Sequence, residues 1–440
     1  MQHLDDAHRQ AEAWMAAWLT SKPRAWRALV VKDVLARLRV ILWCSERSWE
    51  SSRREIDAQL SQVASDYWSK SVLRGRDRED PDNGAWQEQA WSAARRHETA
   101  DRLRMLDRHL SKTGWFDAPT EPPWTLRAKD APPIVLFYSF KGGAGRSTAL
   151  AATALHLAAA GERVAVLDAD LDAPGVGTLL AGYDGAVASY GIADYLLEQR
   201  ILANQEGIGT DDYYHRHAAA GSGGAGEIIV YPAGRVDHRY LEKLARIDYG
   251  ESPEGASHPF VVLLQRICRD LAPGWILIDA RAGLGDVSGF LTGGLCHFHV
   301  LLGTLAEGSW RGLELILGRL GGDRVREDKP QAECMLVASM VPRSDEALFR
   351  ECVERFTDRA REIFSRHYYA EPEAPDEFWT LDDLESADAP HVPTVLPYEE
   401  RLATFRDLTE VAEPILLRGS YTELFERLRT GFRRSRGRVK

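Results

Sequence analysis

Long apolar runs are what this 440-residue chain most clearly lacks: none approaches the roughly 18 residues that span a bilayer. The start, Met1-Gln2-His3-Leu4-Asp5-Asp6, is acidic and polar, so no signal peptide is expected there. Cysteine is scarce. Cys44, Cys268, Cys296, Cys334 and Cys352 are odd in number, widely spread and never spaced C-x-x-C, so neither a disulfide framework nor a zinc or iron–sulfur site is indicated. Basic residues are outweighed, 55 Lys and Arg against 66 Asp and Glu, for a net charge of −11. Affinity for a phosphate backbone is largely electrostatic, so this balance argues against a general nucleic-acid binder. The absences together point to a soluble, cytoplasmic protein. The length and a hydrophobic content of 44% allow two or three domains with a substantial core.

Against that background one stretch stands out. Between Tyr138 and Thr148 the chain reads Tyr-Ser-Phe-Lys-Gly-Gly-Ala-Gly-Arg-Ser-Thr, after the apolar run Ile134 to Phe137 and before an alanine-rich helix. Gly142, Gly143 and Gly145 leave backbone N–H groups unobstructed, so successive amides can wrap a phosphate at the positive end of that helix. Ser147 then sits where a hydroxyl ligates Mg²⁺. A glycine turn in an ordinary βα unit is the bland alternative. The pattern G-x-x-x-x-G-K-[ST] would need glycine at 140 and lysine at 146, and the chain has Phe140 and Arg146.

Lys141, directly before the glycine pair, completes Lys-Gly-Gly-x-Gly, which resembles the deviant loop of the ParA/MinD family of dimerising ATPases. The resemblance covers roughly residues 133 to 430. It implies a three-layer α/β fold with a mostly parallel sheet, and ATP and Mg²⁺ as cofactors. Lys141, Arg146 and Asp170 are the catalytic candidates it implies, Lys141 by reaching the nucleotide of a second subunit in an ATP-dependent homodimer. Gly142, Gly143, Ala144, Gly145, Arg146, Ser147 and Thr148 would hold phosphate. The short strand Val164 to Leu167 delivers Asp168-Ala-Asp170-Leu-Asp172, where the family has its first switch and Asp170 would lie near Mg²⁺ and the attacking water. Asp168 and Asp172 have the alternative job of capping the next turn. Trp275-Ile276-Leu277-Ile278-Asp279 reads as a strand buried on both faces, with Asp279 holding Mg²⁺ through water and Ala280 to Leu284 as the second switch.

Three further apolar segments, Glu227 to Tyr231, Phe298 to Gly303 and Cys334 to Val341, fit the same sheet. His391 to Tyr398 resembles the late strand and proline turn near which the family lodges adenine, while Ser339-Met340-Val341-Pro342 stands where many relatives carry a base-reading asparagine. Phe140 and Arg146 point to a variant branch with Lys-Gly-Gly-x-Gly-Arg, which the resemblance connects with bacterial signalling and conflict systems. Arginine offers a planar fork where lysine is a compact point charge, so nucleotide binding should survive and hydrolysis should slow. A dimer switch acting on a partner protein is the expected function. A nucleotide-dependent scaffold without turnover and a DNA or cargo partitioning ATPase are the alternatives.

The remaining chain is of other kinds. Ten of the thirteen tryptophans fall between Trp14 and Trp124. Ile56, Leu60, Val63 and Tyr67, and again Leu103, Leu106 and Leu110, have helical spacing, so residues 1–116 are expected as an α-helical domain of three or four helices. Its tryptophans are either core or the anchors of a docking module for a partner protein. Residues 117–132, rich in proline, read as a linker. Asp212, His215 and His217, in a glycine-rich stretch from Gly207 to Gly226, have metal-ligand chemistry, though histidines in such loops are usually solvated. Glu371 to Asp388 reads as an acidic surface loop. Ser420-Tyr421-Thr422-Glu423 fits a capping box, with Leu424, Phe425, Leu428 and Phe432 on one face and a basic tail at 431–440. That helix either packs on the domain or lies on a membrane surface, and its short apolar face favours packing.

Overall fold

The computed structural model describes the chain apart from residues 1–2, 77–83, 110, 117–120, 127–130, 183–185, 202–209, 218–225, 251–256, 326–331, 373, 375–377, 406–407 and 439–440. It divides into two compact units, Met1–Ser111 and Lys112–Lys440. Among the described residues no helix is long and apolar enough to cross a membrane.

The first unit is built on a five-stranded sheet of β1 (Arg27–Lys32), β2 (Leu38–Trp43), β3 (Trp68–Arg74), β4 (Arg95–His97) and β5 (Ala100–Asp107), in the order β3-β2-β1-β5-β4. Helices α1 (Leu4–Thr20) and α2 (Glu46–Val63) cover one face through Met15, Leu19, Ile56 and Leu60, and α3 (Gly84–Ala93) covers the other through Ala90. The expected helices are therefore present, but they flank a sheet and the unit is not purely helical. Leu103 and Leu106 lie on β5, and Leu110 falls outside the described residues. The intervening arginines explain the difference. Arg102 donates to the Leu19 carbonyl (2.8 Å) and the Trp26 carbonyl (3.1 Å), and Arg104 to that of Trp91 (2.5 Å). Alternate charged positions are thus held by backbone acceptors and do not mark a solvated helix face. Trp18, Trp26, Trp43 and Trp68 are buried, and only Trp86 of this unit is exposed. The Arg27 guanidinium lies 4.5 Å from the Trp43 ring and 4.7 Å from that of Trp91. Most of these indoles belong to the interior of the unit.

The second unit is an α/β fold around an eight-stranded sheet. Its strands are β6 (Ile134–Ser139), β7 (Arg163–Ala169), β8 (His215–His217), β9 (Glu227–Tyr231), β10 (Trp275–Ala280), β11 (Phe298–Gly303), β12 (Glu333–Val341) and β13 (Thr394–Pro397), in the order β13-β12-β11-β6-β10-β7-β9-β8. All neighbours are parallel except β8, which runs antiparallel to β9. On β6, Ile134, Leu136 and Tyr138 enter one core while Val135 and Phe137 enter the other, so the strand is buried on both faces. One core is closed by α4 (Arg146–Ala159) and the C-terminal α9 (Ser420–Arg438); the opposite core by α5 (Ile192–Ile201), α6 (Pro259–Leu271), α7 (Glu307–Val325) and α8 (Glu346–His367). The strand order sets β6, β10 and β7 side by side, with Asp279 in register with both Phe137 and Asp168. Their carboxyl ends share one edge, where ligands of open parallel sheets bind.

Several smaller expectations resolve differently. His215 and His217 are on β8, with ring nitrogens on the carbonyls of Leu180 (3.0 Å) and Ala181 (2.6 Å), so they serve the backbone and are not solvated. Most of the glycine-rich stretch around them and much of the 117–132 segment lie outside the described residues. Trp124, within that segment, donates to the Pro132 carbonyl at 2.8 Å. Helix α9 begins at Ser420 itself, after Gly419 in the left-handed region (φ 60°), so glycine and not serine precedes it. Its Leu424, Phe425 and Leu428 are buried in the core beside α4, where Phe425 stacks on His156 at 5.0 Å.

That packing fixes an expected outcome. Leu424→Ala, at a fully buried position, should destabilise the protein by about 2–5 kcal/mol, while Glu426→Ala on the exposed side should change it by less than about 0.5 kcal/mol. Thermal unfolding of the two variants checks this; equal, small effects would mean that α9 is no part of the core.

Candidate functional site

The loop after β6 enters α4 through two glycines in the left-handed region, Gly143 (φ 74°) and Gly145 (φ 72°). A β-carbon would strain both positions, which is why the turn is written in glycine. The first amides of α4 have no acceptor within the helix and point out of its positive end. They open on a cavity of about 490 Å³ lined by Ser139, Gly142 to Thr148, Asp170, Ala173, Arg281 and Ala282. All the expected phosphate-holding residues, and Asp170 with them, border this one space.

Beneath it lies a charged cluster. Asp279, on β10, is fully buried; its Oδ1 accepts from Arg146 Nε at 2.5 Å and its Oδ2 from the Ser147 hydroxyl at 2.6 Å. Arg146 also donates through its terminal nitrogen to Asp170 Oδ2 at 2.8 Å. Burial alone would pull the guanidinium pKa down, but the two carboxylates outweigh it and hold the group above its ordinary value. For Asp279, burial pushes the carboxyl up while Arg146 and Ser147 pull the other way. Asp170 Oδ1 accepts from the Ala173 amide at 3.1 Å, so this residue caps its own turn as well.

Asp168 sits one layer deeper, inside β7. Its Oδ2 accepts from the amides of Gly175 and Gly177, both at 3.0 Å, while Oδ1 is buried without a partner. Burial, with Asp279 close by, pushes its pKa up to about 7 against those two amides. The capping role is thus Asp168's, and Asp172 instead forms an ion pair with Arg281.

Lys141 is placed apart from all of these. It is exposed on the lip of the loop, its Nζ 5.6 Å from the Phe140 ring, and among the described residues it has no carboxylate partner. Phe140 lies on α7 where a β-carbon at Gly312 would fall 1.8 Å from its Cγ, so the missing side chain of Gly312 makes room for the phenylalanine that replaces the usual glycine. The pattern departure at 140 was visible in the sequence; the glycine that accommodates it was not.

A smaller hollow adjoins the loop, about 100 Å³, between Gly145 and Thr148 on one side and Met340, Pro397, Tyr398 and Tyr421 on the other. Met340 has a positive φ of 57°, rare for a non-glycine residue, where β12 and β13 slip register. This is where the sequence placed the adenine edge.

A family model of the ParA group, described as NUBPL iron-transfer P-loop NTPase, matches residues 131–193. This segment matches the ParA group. It spans β6, the glycine loop, α4, β7 and the Asp168–Asp172 turn, the elements whose geometry is given above. Among solved structures, ParA of pNOB8 bound to nonspecific DNA is similar at 14% identity, over 69% of this chain and 99% of that chain, with a TM-score of 0.45. The cell division ATPase MinD of Pyrococcus furiosus is similar at 16% identity, over 68% and 99%, with a TM-score of 0.41. A plasmid partition protein of Borrelia burgdorferi B31 bound to AMPPNP is similar at 15% identity, over 69% and 98%, with a TM-score of 0.40. No curated protein matches the chain.

The residues fit a magnesium ion by the chemistry of their donors. Ser147 Oγ borders the cavity with Asp279 directly behind it, two hard oxygen donors of the kind Mg²⁺ takes together with phosphate oxygens and water. Among the described residues no group of three or more His, Cys, Asp or Glu is placed to hold a metal ion without such a co-ligand.

The raised Asp168 pKa carries a sign. Between roughly pH 4 and 7 the folded state keeps a proton that the unfolded carboxyl has released, so stability falls as pH rises through this window. Asp168→Asn should remove that component, by about 1 kcal/mol per pH unit in mid-window. Urea midpoints of both proteins at pH 5 and 7 check it; a wild type-to-variant difference that does not move with pH counts against a protonated Asp168.

Proposed function

We propose that the Lys112–Lys440 unit is an ATP-binding switch, in which two copies pair face to face over two bound nucleotides and slow hydrolysis parts them. The observation that carries this reading is the contrast between the two cations of the loop. Arg146 is buried on Asp170 and Asp279, whereas Lys141 is exposed on the lip of the loop and, among the described residues, has no carboxylate partner. The amides from Gly142 to Thr148 hold the phosphates, Ser147 with Asp279 behind it holds Mg²⁺, and the hollow at Met340 and Tyr398 takes the base. Bound there, the metal would offset charge on the β- and γ-phosphate oxygens. Asp170 borders the cavity and would orient the attacking water, with one of its oxygens held by Arg146.

That hold is a specific reason to keep a second reading, a scaffold that binds nucleotide without turnover, because Asp170 is engaged by a guanidinium. Single-turnover hydrolysis of labelled ATP separates the two, with product above the Asp170→Ala background supporting the enzyme. DNA partitioning is the weakest option, since the net charge of −11 opposes a phosphate backbone. The partner protein is proposed to dock on the first unit, whose exposed Trp86 is the aromatic anchor available. A bacterial signalling or defence system is the setting that the Lys-Gly-Gly-x-Gly-Arg loop suggests.

Lys141→Ala should leave nucleotide affinity within about threefold and abolish pairing, because the side chain is exposed and does not line the phosphate cavity. Mass measurement with a slowly hydrolysed ATP analogue should show wild type doubling from 49.2 kDa and the variant staying single. A variant that still doubles removes Lys141 from the interface.

A further inference from the structure

Two arginines border the phosphate cavity, and they are held in opposite ways. Arg146 is buried between two carboxylates. Arg281, in the segment after β10, lines the same cavity from across the loop, beside Ala173 and Asp170. Its side chain is 42% exposed and its one ion pair among the described residues is with Asp172, itself 45% exposed, from the segment after β7. An exposed pair of this kind is weak, since water competes for both charges.

The backbone that carries Arg281 is, by contrast, fixed. The Ser288 hydroxyl donates to the Arg281 carbonyl at 2.6 Å, Tyr138 donates to the Gly283 carbonyl at 3.0 Å, and Trp115 donates to the Gly285 carbonyl at 2.8 Å. Gly285 leaves the side chain its space: a β-carbon there would stand 3.0 Å from Arg281 Cδ. A rigid base with a loosely held guanidinium at its end is what a group needs if it is to change partner without moving the chain.

We infer that Arg281 reads the terminal phosphate, resting on Asp172 without nucleotide and moving to the γ-phosphate oxygens when a triphosphate fills the cavity. This rests on the nucleotide reading above. With the inner phosphates on the loop amides, the rest of the lining, Ser139, Asp170, Ala173, Arg281 and Ala282, is left to the outer one, and Arg281 is its one cation. Arg146 cannot serve there without stripping two buried carboxylates of their partner, and Lys141 does not line the cavity. A planar guanidinium fork matches two phosphate oxygens at once. When water adds to the γ-phosphorus and the bond to the β–γ bridging oxygen breaks, giving ADP, inorganic phosphate and a proton, Arg281 is placed to stabilise the charge on the departing group. Because Asp172 and Arg281 belong to the segments after β7 and β10, the exchange also releases one from the other, so the presence of the third phosphate becomes a change in how the two are joined.

Calorimetry of the full chain with Mg²⁺ and either ADP or a slowly hydrolysed ATP analogue tests this. Arg281→Ala should leave ADP affinity within about twofold and cut the preference for triphosphate by about tenfold or more. Arg281→Lys should restore part of that preference, and Asp172→Asn should tighten triphosphate binding alone by about two- to fivefold by removing the competing carboxylate. Single-turnover hydrolysis should fall by about 10²- to 10³-fold in Arg281→Ala. An Arg281→Ala protein that discriminates the two nucleotides and turns over as wild type does, or that loses both nucleotides equally, overturns the assignment. A wild-type chain that takes up neither nucleotide overturns the nucleotide reading itself, and this proposal with it.

Discussion

The guanidinium of Arg146, clasped by Asp279 and Asp170, is the interaction on which the rest of the site depends. It joins the first residue of α4 to the ends of β10 and β7, the three elements that meet at the sheet edge. Burying charges costs several kcal/mol per ion, repaid only where geometry and hydrogen bonds are good. Here one fork reaches two carboxylates while Ser147 satisfies the remaining oxygen of Asp279. A lysine ammonium, a point charge on a flexible stem, would not span both acids with fixed geometry. Arginine at this position therefore orders the floor of the cavity that it also borders.

Which parts of this were legible follows from how the information is stored. Strands β6, β7 and β10 announce themselves as continuous apolar runs because parallel strands are buried on both faces. The loop announces itself in glycine because two of its φ angles are positive. The partners of Arg146 are a different matter: Asp170 is 24 positions away and Asp279 is 133, and nothing local says that β7 and β10 are neighbours. The three acids after Val164 show the same limit. Sequence offers site or cap for each, and the choice depends on where β7 ends. It runs to Ala169, which sinks Asp168 into the sheet, sets Asp170 at the edge and leaves Asp172 on the surface.

The first unit misled for a related reason. Leu103 and Leu106, three positions apart, satisfy a helix as readily as they satisfy neighbouring positions of a strand whose two faces are both covered. Arg102 and Arg104 flank Leu103, and charge in a periodic segment ordinarily marks solvent. They are instead spent on carbonyls at the ends of α1 and α3, contacts that only tertiary structure creates. The tryptophans follow from this: large flat side chains fill the space between a twisted sheet and its helices and offer faces on which arginines lie.

The charge balance of the floor bears on how a nucleotide enters. Arg146, Asp170 and Asp279 sum to one negative charge, and Asp168, whose carboxyl burial pushes up to about 7, adds to it as pH rises through neutrality. A triphosphate brings several more negative charges to the same place. Two unit charges about 4 Å apart repel by about 4 kcal/mol at an effective dielectric near 20, more than a loop of amides offsets easily. A cation entering with the phosphates would reverse that balance beside Ser147, and Arg281, once parted from Asp172 as proposed above, would add to it at the outer end. The buried Arg146 and the half-exposed Arg281 would then be parts of a single arrangement, the first fixed in the floor and the second left to respond to what the floor receives.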